Sequence, residues 1–242
     1  SMDYTTITRH DQDGMAVITL RRPDVMNALD TQMRAEITHA VQEAGKTARV
    51  VVLTGEGRAF CSGQDLGDRT RLSNLNLERT LRDEYIPMLM AIVECPVPVI
   101  AAVNGTAAGA GANLALVCDI TIATESAFFI QAFTRIGLIP DAGGTWVLPR
   151  TVGLQRAMGA ALFADKISAA QAAQWGMIWE AVPDAEFEAV WRARAAHLAS
   201  GPTEAFKRIK QVMQASFGNS LHEQLLLEGQ LQGQCGHSRD FK

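Results

Sequence analysis

Apolar runs bounded by glycine, proline and charged residues divide the chain into elements. "MAVITL" (15–20) is short and apolar and predicts a strand, closed at Arg22–Pro23, where proline removes a backbone donor. Asp30 then precedes Met33, Ile37 and Val41 at four-residue steps, which predicts an N-capped helix through Ala44. "RVVVLTGEG" (49–57) and "VPVIAAVNG" (97–105) each predict a buried strand running into a glycine turn. Between them, 65–84 is polar and charge-mixed, the pattern of a mobile loop leading into a helix. "ITIATESAFFIQ" (120–131) predicts two short strands. From Gly153 the pattern turns helical: Ser168 reads as a cap for "AAQAAQWG", "MIWEAV" as a strand, and two or three helices follow from about Asp184. Strands alternating with helices and then a helical tail predict an α/β core over 1–183 and a helical region over 184–242.

Composition narrows the function classes. With 242 residues, 48% of them hydrophobic and 20% charged, the chain has ordinary globular make-up. Its formal net charge of −4 lacks the positive footprint of a sequence-independent nucleic-acid binder. Cys61, Cys95, Cys118 and Cys235 form no CxxC pair and have no histidine at ligand spacing; they read as buried free thiols of a cytoplasmic protein. The N-terminus is polar and shows no secretory signal, and the Ser1–Met2 start suggests a natural beginning at Met2. Asn104, Asn113 and Asp119 interrupt the longest apolar runs, so no membrane span is expected.

Three glycine-rich turns carry the candidate chemistry. "GAGANLA" (109–115) begins like a dinucleotide fingerprint, but Leu114 stands where the third glycine packs helix on strand, and no Gly-Lys-Ser/Thr follows. What remains is a strand, small residues and a helix start whose unpaired amides suit either tight packing or a developing oxyanion. "FCSGQDL" (60–66) is a second such turn, able to aim another amide at the same point. "GLIPDAGGTW" (137–146) sets one carboxylate, Asp141, among apolar residues just before a helix start. Asp141 can cap that helix, or serve as a desolvated base.

Those turns, with "RRPDVMNAL" (21–29), "VNGTAAGAGANLALVCD" (103–119) and "GLIPDAGGTWVLPR" (137–150), resemble the crotonase, or enoyl-CoA hydratase/isomerase, superfamily from about Met15 to the C-terminal helices. The resemblance implies a crotonase-like spiral of ββα units with a C-terminal helical trimerisation region, assembled as a homotrimer or a dimer of trimers. It implies an acyl-CoA thioester substrate, with CoA arriving as part of the substrate, no separate cofactor and no metal. Carried over residue by residue, the Gln64 and Ala110 amides form the oxyanion hole, and Arg22, Val25, Met26 and Ala28 line the CoA pocket. Ser62, Asp65 and Leu66 of the oxyanion turn, with Asn113, complete the candidate substrate contacts. The chain stops at "SRDFK", where many relatives continue for another short segment.

Reaction type turns on acids. The two glutamates of the hydratases align with Asn113 and Phe133, and neither an amide nor a phenyl ring takes up a proton near neutral pH. The carboxylate stands at Asp141 instead. "GLIPDAGGTW", "QWGMIW" (174–179) and "FCSGQDLGDR" (60–69) resemble the isomerase subgroup of phenylacetate degradation, acting on 2-(1,2-epoxy-1,2-dihydrophenyl)acetyl-CoA, where an aspartate at this position shuttles the proton. An unassisted Asp cannot remove a thioester α-proton at useful speed. Each amide donor on the enolate is worth roughly 3–4 kcal/mol of barrier. Desolvation adds to this, and Ile136, Leu138, Ile139 and Trp146 are the apolar neighbours available for it. An enoyl-CoA hydratase of low activity and a non-catalytic acyl-CoA-binding homologue are the rival readings. Asp119 and Glu125 read as members of solvated turns, and His10, His39, His197, His222 and His237 as surface residues.

Overall fold

From β3 (Val50–Gly55) to β8 (Phe128–Ile130) the strands fall alternately into two sheets in the computed structural model, which describes residues 3–65, 67 and 74–241. The six-stranded sheet takes β1 (Ile7–Gln12), β2 (Met15–Leu20), β3 (Val50–Gly55), β5 (Val99–Val103), β7 (Ile120–Thr124) and β10 (Glu180–Val182), in that spatial order. The four-stranded sheet takes β4 (Ala59–Cys61), β6 (Thr106–Ala108), β8 (Phe128–Ile130) and β9 (Ile167–Ser168). The β1–β2 and β8–β9 pairs are antiparallel, and the remaining pairs are parallel.

The helices are α1 (Thr31–Thr47), α2 (Asn74–Thr80), a π turn (Leu81–Tyr85), α3 (Ile86–Val93), α4 (Ala110–Leu116), α5 (Gly144–Val152), α6 (Leu154–Phe163), α7 (Ala169–Trp175), α8 (Phe187–Ser200), α9 (Thr203–Ala215) and α10 (Leu221–Gly236). Asp30 and Ser168 cap α1 and α7 as their sequences predict, accepting from the Met33 and Gln171 amides. The strand read at 177–182 shortens to β10, because Met177 and Ile178 bury in the turn before it. The strands β1, β4, β6 and β9 carry no signal that the apolar pattern catches. Of the segment read as a mobile loop, Leu66 and residues 68–73 lie outside the described residues; from Asn74 the chain is helical.

Burial on both faces explains the unbroken apolar strands. Val51, Leu53, Val99, Ala101 and Val103 face the larger core with α1 and the second sheet. Val50, Val52, Ile100, Ala102 and Ile122 face the other way, onto Trp191, Ala195 and Ala199 of α8. The helix α1 buries Met33, Ile37 and Val41, as its four-residue spacing requires.

A half-buried carboxylate, Asp119, and a buried one, Glu36, stitch the chain across long distances. Asp119 is not in a solvated turn. It accepts the Val99 amide at 2.8 Å and pairs at 2.8 Å with Lys210 of α9, whose ammonium also donates to the Ile92 and Val97 carbonyls. Burial nevertheless raises the Asp119 pKa, against the opposing pull of Lys210. Glu36 accepts from the Thr5 and Thr6 amides and hydroxyls and from the Gln32 side chain. Burial opposes its charge, but those donors outweigh it and hold the Glu36 pKa down at about 2. The stabilisation this charge gives is therefore full above about pH 4.5 and drains away as pH falls toward 2. Glu36→Gln should lower stability at pH 7 by about 2–3 kcal/mol, because an amide group turns donors toward donors. Denaturant midpoints at pH 7 and pH 3 check this: the gap between the two proteins narrows at pH 3.

Among the described residues, no helix is long and apolar enough to cross a membrane.

Candidate functional site

Two glycine turns meet because neither has a side chain to hold them apart. At Gly109 the backbone takes φ 57 and ψ −127 to pass from β6 into α4, a conformation open to glycine. A Cβ on Gly111 would sit 2.2 Å from the Cys61 carbonyl oxygen, so α4 presses directly on the end of β4. A Cβ on Gly63 would fall 2.8 Å from the Ala108 oxygen and 3.6 Å from the Ala110 nitrogen. The turn carrying Gln64 and the turn carrying Ala110 therefore abut. As the first residue of α4, Ala110 has no acceptor for its N–H within its own helix.

The loop 22–29 is stapled alongside. Ser62 N donates to Met26 O, Leu29 N to Gly63 O and Asp65 N to Leu29 O, at 2.7–3.0 Å. Asn27 supports the loop from below at φ 57, with its side-chain amide donating to the Glu56, Ala59 and Phe60 carbonyls. This brings Val25, Met26 and Ala28 to the wall of a cavity of about 710 Å³, together with Ser62, Gln64, Asp65, Ala110 and Asp141. Leu77, Leu81, Tyr85, Phe133, Ile136 and Leu138 supply the apolar part of the wall, and Arg58 and Arg135 add two cations.

Asp141 does not cap α5. That helix starts at Gly144 after Gly143 at φ 89, with no side chain bonded to its first turn. The Asp141 carbonyl accepts from Gly144 N at 3.1 Å and from Asn113 Nδ2 at 2.8 Å, while its Oδ1 is buried with no hydrogen-bond partner. Burial pushes the carboxyl up to about 6, and its own backbone amide opposes only part of that rise. Ala142, next in the chain, is held at φ 55, which costs on the order of 1 kcal/mol for a residue with a Cβ. Of the apolar neighbours in sequence, Ile136 and Leu138 share the cavity wall with Asp141, and Phe133 joins them there. Ile139 is 76% exposed and Trp146 51%, and neither lines the cavity.

Three candidates stand elsewhere. Arg22 is off the cavity wall, paired with Asp65 at 3.1 Å and Asp30 at 3.5 Å, and donating to the Ala28 carbonyl. Asn113 is fully buried and exchanges two amide hydrogen bonds with Gln131, at 2.8 and 3.1 Å, besides holding the Asp141 carbonyl. Leu66 lies outside the described residues. Asp65 also accepts from the Gly67 amide at 2.8 Å, so it ties the turn it follows. Gln131, Arg34 and Tyr85 were not singled out by any motif; their roles depend on partners 18 to 51 residues away. Of the cysteines, Cys61, Cys95 and Cys118 are buried and Cys235 is half-buried. Among the described residues no three metal-ligating side chains cluster.

Comparison with known proteins extends this picture. A family model described as enoyl-CoA hydratase/isomerase matches residues 10–242. A Rhodobacter capsulatus protein named "Probable enoyl-CoA hydratase" is 62% identical over 241 residues, covering 100% of this chain and 93% of that protein. An Escherichia coli protein named "1,2-epoxyphenylacetyl-CoA isomerase" is 43% identical over 241 residues, covering 98% of this chain and 92% of its own length. The crystal structure of an enoyl-CoA hydratase from Bacillus anthracis superposes with a TM-score of 0.93 at 31% identity, over 98% of this chain and 93% of that one.

Proposed function

We propose, for a chain that belongs to the enoyl-CoA hydratase/isomerase family and has its crotonase fold with a C-terminal helical region, that the reaction is an acyl-CoA isomerisation. The observation that carries it is the Asp141 carboxylate: half-buried, with Oδ1 buried and unpartnered, and facing the same cavity as the two abutting amide turns. Gln64 N–H and Ala110 N–H receive the thioester oxygen. Asp141 removes a proton from the carbon beside the thioester, and the electron pair moves onto that oxygen as the enolate forms. The same carboxylic acid then returns the proton two carbons further out, so the double bond moves by one position with no net gain or loss of atoms.

The places where hydratases handle water are filled otherwise. Asn113 and Gln131 lock each other's amides, and Phe133 presents a ring to the cavity. The name of the Escherichia coli relative and the aromatic wall support a ring-epoxidised phenylacetyl-CoA as substrate, with 3-enoyl-CoA as the simpler test compound. The name of the Rhodobacter relative favours a second reading, a slow enoyl-CoA hydratase. One assay separates them: isomerisation of 3-hexenoyl-CoA raises the ultraviolet absorbance of the conjugated 2-enoyl thioester, whereas hydration of that product removes it.

Arg58 and Arg135 are suited to CoA phosphates, beside the acyl path formed by Val25, Met26 and Ala28. Exposed Ile209 and Met213 on α9, with Leu221, Leu225 and Leu226 on α10, are the apolar surface for a homotrimer or a dimer of trimers. A cytoplasmic location completes the proposal.

With the Asp141 pKa near 6, kcat/KM for 3-hexenoyl-CoA should climb about tenfold per pH unit below 6 and level off above it. A profile flat from pH 4.5 to 8 would remove Asp141 as the base.

A further inference from the structure

A buried polar network beside Gln64 is untouched by the chemistry described so far. Arg34 of α1 is 1% exposed. Its Nη1 donates to the Leu29 carbonyl at 2.9 Å, and at 3.3 Å to both Gln64 Oε1 and the Tyr85 hydroxyl. Its Nε and Nη2 hold the Glu84 carboxylate at 2.9 and 2.8 Å. The Tyr85 hydroxyl in turn donates to Gln64 Oε1, and the guanidinium lies 4.8 Å from the Tyr85 ring centroid.

These contacts fix residue 64 from two directions. Its backbone pairs with Leu29 in an isolated parallel bridge, and the Leu29 carbonyl is itself held by Arg34. Its side chain is held through Oε1 by Arg34 and Tyr85. Glu84 and Tyr85 belong to the π turn, a local widening of the helix that is common at functional sites. Burial keeps the Tyr85 hydroxyl protonated at any working pH, so it remains a donor. An amide that must meet a forming oxyanion gains little unless its direction is fixed before the reaction, and a displacement of about 1 Å can cost on the order of 100-fold in rate.

We propose that Arg34 and Tyr85 are positioning residues that aim the Gln64 amide at the thioester carbonyl by clamping the Gln64 side chain. The proposal rests on the isomerase reading of this same site. The alternative it excludes is a Tyr85 that acts on the acyl group directly from the cavity wall.

Removing Arg34 strands Glu84 and risks the fold, so the test uses Tyr85→Phe, Gln64→Met, which keeps the backbone amide, and the double variant. Hexanoyl-CoA labelled with carbon-13 at the carbonyl is saturated and has no double bond to move. Its infrared carbonyl stretch, bound against free, reports how strongly the amides polarise it. The wild type should lower the frequency, each single variant should lose part of that lowering, and the double variant should lose no more than the larger single loss. In turnover of 3-hexenoyl-CoA, Tyr85→Phe should cut kcat by about tenfold, the rate equivalent of one hydrogen bond, with KM little changed. A full wild-type shift in Tyr85→Phe overturns the proposal. Losses that add in the double variant also overturn it, since Tyr85 would then act on substrate independently of Gln64. A wild type that leaves the frequency unshifted overturns it too. Failure of the isomerase reading shows separately, as absent wild-type turnover, and the infrared comparison still decides the positioning role.

Discussion

Asp141→Asn should cut kcat for 3-hexenoyl-CoA by about 10³–10⁴-fold, the span that a positioned acid–base group supplies. Asparagine keeps the size of the side chain and leaves the backbone carbonyl that Asn113 and Gly144 hold. It cannot carry a proton from one carbon to another. The dissociation constant for hexanoyl-CoA, measured by calorimetry, should change by less than about threefold, because in the proposed reaction backbone amides, not this carboxylate, hold the thioester. Stability should move the other way. A group whose pKa is raised from 3.8 to about 6 by burial loses stability for the fold as pH rises through that range. Neutral asparagine escapes that loss, so the thermal midpoint at pH 7 should rise in the variant. Unchanged turnover would leave the apolar cavity in need of another base, and among the described residues no other carboxylate in it is buried without a partner.

Ala110→Pro is the second large effect. Proline removes the amide hydrogen at a position where the first residue of a helix tolerates it, since that N–H has no partner within α4. The helix should survive, with circular dichroism unchanged. The thioester oxygen would lose one of its two proposed donors and meet a ring carbon in its place. kcat/KM should fall by about 10²–10³-fold, and further where the ring crowds the substrate. A variant that folds and turns over at the wild-type rate would move the oxyanion site away from Ala110.

Legibility in the sequence followed the range of each interaction. The Asp30 and Ser168 caps were readable because donor and acceptor lie three residues apart. The apolar β3 and β5 were readable because both faces are buried. The strands β4 and β6 were not, being three residues each, and "TAA" reads as part of a small-residue helix start. Asp119 looked solvated because its partner, Lys210, lies 91 positions later. The motifs brought Gln64, Ala110 and Asp141 to one cavity, but they could not show that Asn113 turns away to Gln131 or that Arg22 pairs with Asp65. Shielding of Asp141 by Ile139 and Trp146 failed for a simpler reason: neighbours along a turn point in different directions.

The order of the large sheet, β1-β2-β3-β5-β7-β10, is also the order in which its strands leave the ribosome. If the strands pair as they are made, each closes the previous edge and presents its own. Between residues 124 and 180 the growing sheet ends in β7, an apolar strand with both faces destined for burial and no charged side chain to deter a second nascent chain. Truncation in that interval should therefore make the chain more prone to aggregation than the full chain, which light scattering on refolding would show. Release comes only when β10 takes its place beside Ile122, Ala123 and Thr124.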